Sequence, residues 1–189
     1  LAIAGAAEPA ALIAREQCGL LGGQPQARVL GTPHRLRVTD AALVNGIACH
    51  ALDFDDTHSP TILHATTPLY AAGAALAELR GSRGIDLLAA HALGYELAAR
   101  ASNALYPEHY DVGWHMTGTT GALASAAVAV RLLGLEGATA THCLSIAATG
   151  RWRGWKASSS WHRNRATPPG RNSSASSATS PNASGWRTS

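Results

Sequence analysis

Apolar residues recur at helical spacing through the first 149 positions of the chain. They fall three or four residues apart in the stretches 1–21, 39–52, 68–79, 85–105, 117–133 and from 138 onward. Breaks rich in glycine or polar residues separate these stretches, and Pro9 interrupts the first one, so that a helix restarts there with proline in its first turn. The pattern predicts an all-α fold with one short extended piece near residues 28–30.

The helical pattern stops at Thr149. Residues 150–189 contain no Leu, Ile, Val, Met or Phe, but they hold four of the five tryptophans. They carry seven basic residues and no acid, whereas residues 1–149 have a net charge of −4. A segment without aliphatic side chains has no apolar face to bury, so we expect residues 150–189 to be a disordered basic tail.

Two interpretations of this low-complexity tail are open. In the first, its arginines neutralise phosphates and its tryptophans stack on bases, so that a helical module binds nucleic acid through the tail. In the second, the tail is a frameshift product of a GC-rich gene. The change falls inside a predicted helix, between Ser145 and Thr149, without a linker, and this favours the frameshift. The first helix also starts without a cap, so we expect upstream residues to be missing.

Other features of the composition indicate a cytoplasmic protein that does not bind membranes. Cys18, Cys49 and Cys143 stand far apart without a Cys-x-x-Cys pair, which is typical of buried thiols in a reducing compartment. No uninterrupted apolar run reaches the roughly 18 residues of a spanning helix, and no secretory signal is present.

Three acids lie within four residues at the predicted end of the second helix. These are Asp53, Asp55 and Asp56, and Thr57 follows them. On a helix, Asp53, Asp56 and Thr57 would share one face. Clustered carboxylates repel each other, so one of them is expected to have a raised pKa and to act as a general acid or base. The same set also fits a divalent metal site or an ordinary acidic helix end, and the residues alone leave these alternatives open.

A second polar stretch precedes the helix of small residues at 117–133. His115 has a side chain that exchanges protons near neutral pH. The backbone N–H groups of the following helix, with Thr117, Thr119 and Thr120, form a candidate site for a carboxylate. Alternatively, Thr117 caps the helix and His115 is a half-buried loop residue.

Two blocks of this sequence together resemble the MmgE/PrpD family, which includes 2-methylcitrate dehydratase and cis-aconitate decarboxylase. The first block comprises residues 44–46 and 53–57, followed by His64 and Pro68. The second begins at Trp114-His115 and continues through the small residues to 135, at the expected separation. The resemblance covers residues 1–149, which are identified as a partial MmgE/PrpD helical domain.

The resemblance implies a cofactor-independent lyase of the 2-methylcitrate dehydratase type that acts on small di- and tricarboxylic acids. It implies a site without metal and a homodimer in the intact family member. By position in the two blocks, Asp53 and His115 correspond to catalytic residues, and Thr57 and His64 to substrate-binding residues. The spacing from Thr57 to His64 is one residue longer than in the decarboxylase branch.

The chain also departs from the family pattern. The family continues the sixth helix into a segment with a lysine in a Lys-Pro-Leu-His-like motif, whereas Lys156 of the basic tail does not lie in such a motif. The later histidine and tyrosine of the site and the smaller domain are absent from these 189 residues. We therefore expect this chain to be an inactive fragment of the lyase with poor solubility, because helix faces without their partners stay exposed.

Overall fold

The computed structural model describes the backbone of residues 1–162 and the side chains of residues 1–149. Helices and one short hairpin make up this part, which confirms the all-α prediction. The helices are α1 Ala2–Gly5, α2 Pro9–Leu21, α3 Val38–His50, α4 Thr66–Arg80, α5 Gly84–Leu105, α6 Glu108–Asp111, α7 Met116–Leu133 and α8 Gly137–His162, and the antiparallel strands are β1 Ala27–Arg28 and β2 Arg35–Leu36. The starts of α4, α5, α7 and α8 lie within two residues of the predicted positions.

The backbone of α8 continues past the boundary predicted at Thr149 and ends at His162. The change in composition therefore does not end this helix. Arg, Lys, Ala and Trp are all compatible with a helix, and the first proline after Thr149 is Pro168. Beyond His162 the tail lies outside the described part of the chain. The disorder and the nucleic-acid binding expected of it stay predictions there.

The core lies where α4 packs between α3, α5 and α7. Its largest buried members are Leu63, Leu69, Met116 and Val128, and alanines fill the space between them. Small residues allow this close packing, because a Cβ atom added at Gly94 of α5 would collide with Leu69 and would lie 2.6 Å from Cγ2 of Val128. Gly94 and also Gly73 of α4, where an added Cβ would lie 2.9 Å from Cδ1 of Leu87, therefore serve close helix–helix approach.

Close packing also explains why α7 is rich in small apolar residues. By length and composition α7 would be able to cross a membrane, even though it includes Arg131. A core helix of a globular protein meets the same criteria, and α7 packs against α4 and α5 with Met116, Ala124 and Val128 in the core. Packing within the protein therefore accounts for this composition.

The hairpin is fastened to the helices by two polar side chains. Glu78 of α4 accepts hydrogen bonds from the backbone N–H of Arg28, at 2.8 Å, and from Nη1 of Arg35, at 2.7 Å. Asn45 of α3 is buried, accepts from the N–H of Leu30 at 2.8 Å and donates to the carbonyl of Arg28 at 3.0 Å. Asn45, which belongs to the first sequence block, thus stabilises the segment around Arg28 and Leu30 and not the candidate site.

We predict that Gly94→Ala destabilises the fold by about 1–3 kcal/mol, because the core has no room for the added methyl group. Urea unfolding followed by far-UV circular dichroism measures this loss. Gly84→Ala, at the start of the same helix, is the matched control, because a Cβ atom there meets nothing within 4 Å. Equal unfolding free energies for the two variants would contradict the close packing of α5.

We predict that Glu78→Gln lowers the free energy of unfolding by about 1 kcal/mol at pH 7. Burial opposes ionisation of Glu78, but hydrogen bonds from Arg28 and Arg35 and the charges of these arginines outweigh it and lower the pKa of Glu78. A carboxylate with a depressed pKa stabilises the fold above its unfolded-state pKa, roughly 4.3, and this contribution is lost as the pH falls through the folded-state pKa. The difference between the proteins should therefore vanish in acid, and a difference independent of pH would exclude the ionic contribution.

Candidate functional site

The candidate site lies in the loop between α3 and α4. Helix α3 ends at His50, and Asp53 then adopts a left-handed conformation with φ of 54°, which Asp tolerates better than most residues. The predicted helix face shared by Asp53, Asp56 and Thr57 is therefore wrong, because the helix ends before the acids begin. Ile62 also has a positive φ, of 55°, in the turn that the hydrogen bond from His58 N–H to the Leu63 carbonyl closes. A β-branched residue in this conformation is strained, and such strain is concentrated at functional sites.

Asp55 is the buried centre of the loop, with only 2% of its side chain exposed. The Thr67 hydroxyl donates to its Oδ2 at 2.6 Å, and Nδ1 of His50 lies 3.1 Å from both carboxylate oxygens. Nδ1 of His64 lies 3.4 Å from Oδ1. Burial opposes ionisation, but the hydrogen bonds from Thr67 and His50 and the His50 ring outweigh it and lower the pKa of Asp55. Asp55 is therefore held as a carboxylate.

Neither Asp55 nor His50 was predicted from the sequence as a site residue. Asp55 was one of three neighbouring acids, and nothing in the local pattern distinguishes it from the others. Its strongest partner, Thr67, lies twelve residues later, in the first turn of α4. The fold alone brings these groups together.

Three histidine rings follow one another from α3 to α7. The ring centroids of His50 and His64 are 5.4 Å apart, and those of His64 and His115 are 6.4 Å apart and nearly parallel. The N–H of His64 also donates to Oγ1 of Thr117 at 2.8 Å, which fastens the loop to the start of α7. The structure thus places His64 and His115, which come from separate sequence blocks, side by side.

His115 immediately precedes the first residue of α7. Burial lowers its pKa, the His64 and His50 rings lower it further, and the charges of Asp53 and Asp55 oppose this without cancelling it. The ring is therefore neutral at physiological pH and has a lone pair available to accept a proton.

The neighbouring polar residues serve other contacts. Asp56 accepts a hydrogen bond from the N–H of Thr66 at 3.0 Å. The pKa of Tyr95 on α5 is raised mainly by burial of Tyr95 and secondly by the charge of Asp56. Thr57 is exposed, and among the described residues its side chain makes no hydrogen bond to the histidines. The resemblance assigned Thr57 to substrate binding, and that assignment stays a prediction.

The threonines at the start of α7 divide into two kinds. Oγ1 of Thr119 pairs with Nε2 of His109 at 2.8 Å, and Oγ1 of Thr120 donates to the Met116 carbonyl at 3.0 Å. These two hydroxyls are engaged inside the protein, which argues against their predicted role in holding a carboxylate. Thr117 neither caps α7 through its side chain nor is buried, and it lines a cavity instead.

A cavity of about 570 Å³ opens between α3, α4 and α7 beside this cluster. His50, Thr67, His115 and Thr117 line it with polar groups, and most of the remaining wall consists of small or aliphatic residues. This volume falls within the usual range for small-molecule sites. Its described lining includes no Lys or Arg.

Comparisons with known proteins identify the family of this chain. The model of the MmgE/PrpD N-terminal domain matches residues 1–178, which extends past Thr149. Cis-aconitate decarboxylase of Mus musculus is 38% identical over 129 residues, which are 63% of this chain and 25% of that protein. The Homo sapiens protein of that name is 35% identical over 141 residues, 71% of this chain and 29% of its own length. The cis-aconitate decarboxylase-like protein oryM of Aspergillus oryzae is 34% identical over 129 residues, 64% of this chain and 27% of its own length.

These proteins are much longer than the present chain. The chain spans about a quarter of the length of the curated relatives it matches, since the covered shares are 25–29%.

We predict that Thr67→Val raises the pKa of Asp55, because it removes the hydrogen bond that stabilises the buried carboxylate. Carboxyl ¹³C chemical shifts followed as a function of pH measure this change. Thr66→Val is the matched control, because Thr66 contacts Asp56 through its backbone N–H only. An unchanged Asp55 titration in the Thr67 variant would show that this hydrogen bond does not control the charge.

Proposed function

Because the chain belongs to the MmgE/PrpD family, we propose that its α3–α4 loop and the start of α7 form the proton-transfer part of a lyase site for small di- and tricarboxylic acids. The observation that carries this proposal is the cluster of Asp55, His64 and His115 beside a cavity of small-molecule size, whose wall includes His115. In such a lyase site, one group removes or delivers a proton at carbon while a neighbouring group holds the substrate.

We assign the roles from the family resemblance and relate them to the surroundings of each side chain. His115, neutral and on the cavity wall, is the proton acceptor in an elimination and, once protonated, the donor to carbon in a decarboxylation. Asp53 is an exposed carboxylate within reach of the same cluster and serves as the second proton-carrying group. Thr57 and His64 hold substrate carboxylates, and the hydrogen bond from its N–H to Thr117 holds His64 in place.

The substrate is a small tricarboxylic acid, with cis-aconitate as the first choice and 2-methylcitrate as the second. The names of the curated relatives support the first choice. Both acids carry several negative charges, whereas the described cavity lining has no cationic side chain. Cationic groups of a longer enzyme would then complete the site. Assembly as a homodimer and a cytoplasmic location belong to the same proposal.

A chimeric enzyme tests this proposal. Residues 1–149 replace the matching segment of the Homo sapiens cis-aconitate decarboxylase, and release of CO₂ from cis-aconitate is measured. We expect turnover by the chimera and none by the isolated 189-residue chain. Asp53→Asn and His115→Gln should each lower kcat/KM by roughly 10²-fold or more, because each removes a proton-carrying group.

His142→Ala is the matched control, because His142 is exposed on α8, and its kcat/KM should stay unchanged. Circular dichroism checks that every chimera is folded. A folded chimera that keeps full activity with both Asp53→Asn and His115→Gln would contradict the assigned roles. A folded chimera without activity on cis-aconitate would exclude that substrate, and loss of 2-methylcitrate would then be measured.

A further inference from the structure

The loop after α3 has a second property that the family resemblance does not imply. His50, Asp53, Asp55 and His64 each offer one ligand atom, and these four atoms lie within 4.8 Å of one another. We propose that these four side chains, called the His–Asp cluster below, form a binding site for one divalent ion of the zinc class.

The distances inside the cluster fit a tetrahedral ion. Oδ1 of Asp55 lies 3.1 Å from Nδ1 of His50 and 3.4 Å from Nδ1 of His64. Ligand atoms at about 2.0–2.1 Å from a tetrahedral zinc ion are separated by roughly 3.3–3.4 Å. Oδ1 of Asp55 is thus close to the required separation from each imidazole nitrogen, and the exposed Asp53 offers an oxygen within 4.8 Å of the other ligand atoms.

The surroundings of the cluster hold its ligands in place. The Thr67 hydroxyl bonds Oδ2 of Asp55 at 2.6 Å, and the N–H of His64 bonds Thr117 at 2.8 Å. Such outer contacts orient metal ligands and strengthen binding. Thr67 donates to one carboxylate oxygen only, which leaves Oδ1 of Asp55 to an ion.

His64 provides an independent observation. Its Nδ1 atom is buried, and among the described residues it has no hydrogen-bond partner, because its contact with Asp55 lacks hydrogen-bond geometry. A buried ring nitrogen without a partner is unfavourable. An ion at the centre of the cluster would accept its lone pair and remove this cost.

The donor set selects the class of ion. Two imidazole nitrogens and two carboxylate oxygens suit zinc and its transition-metal neighbours, whereas Ca²⁺ and Mg²⁺ prefer oxygen ligands throughout. The two carboxylates balance the charge of a divalent ion. His50 and Asp53 are exposed, so the ion has a path from solvent.

The ion would act as an inhibitor, a consequence that rests on the proposed function. Asp53 and His64, as ligands, would no longer be available to carry a proton or to hold a substrate carboxylate. Metal binding itself does not depend on that function and is measured without substrate.

Metal binding is tested on the 189-residue chain after treatment with a chelator and dialysis. Calorimetry with Zn²⁺ gives the stoichiometry and affinity, and the visible absorption of Co²⁺ reports tetrahedral geometry. We expect one ion per chain and a loss of affinity of at least tenfold in both His50→Ala and Asp53→Ala, whereas His34→Ala and His142→Ala, at exposed histidines outside the cluster, bind as the parent does.

The variants lie at exposed positions, and far-UV circular dichroism checks that each keeps its helices. The proposal is overturned if the chain binds no Zn²⁺, or if His50→Ala and Asp53→Ala bind it as tightly as the parent. Because no substrate is present, neither result bears on the lyase proposal, and an inactive chimera leaves the metal site untouched.

Discussion

The arrangement of the candidate site depends on the burial of one carboxylate, that of Asp55. A charge with 2% exposure is costly unless donors surround it, and here the donors, His50 and Thr67, come from the two helices that flank the loop. His50 is the last residue of α3, Thr67 lies in the first turn of α4, and His64 belongs to the loop between them. Satisfying this one charge therefore fixes both ends of the loop. His64 transmits the constraint to α7 through its N–H bond to Thr117.

The helices that carry these donors meet closely because their contact faces are built from small residues. A Cβ atom at Gly121 of α7 would lie 2.9 Å from Cγ of Pro68, at the start of α4, and one at Gly73 would lie 2.9 Å from Cδ1 of Leu87. The same small side chains leave open the cavity beside His115, since Gly46, Ala71 and Gly121 line it. Close packing and an open binding space thus arise from the same composition.

The sequence predicted the helices well because their apolar spacing is a local property. It did not predict that the helix ends before the acids, because the left-handed conformation lies at Asp53 and no glycine or proline marks the end of α3. Helical spacing was therefore extended into residues 53–57, and Asp56 was grouped with Asp53 although its partner is Thr66. The adjacency of His64 and His115 came from the family resemblance and not from spacing, since 51 residues separate them. The pairing of His50 with Asp55 had no local signal at all.

The charges of this site determine what it binds by itself. The site offers the carboxylates of Asp53 and Asp55 and the His115 ring, which its surroundings keep neutral, whereas no Lys or Arg lines the described cavity. The electrostatic field of such a cluster attracts cations and repels a molecule with three carboxylates. Under the proposed function, a tricarboxylic acid would therefore need cationic groups brought to the cavity from outside its described lining. In this respect the isolated chain is better matched to a metal ion than to the proposed substrate. Its carboxylates attract a cation and repel a tricarboxylic acid.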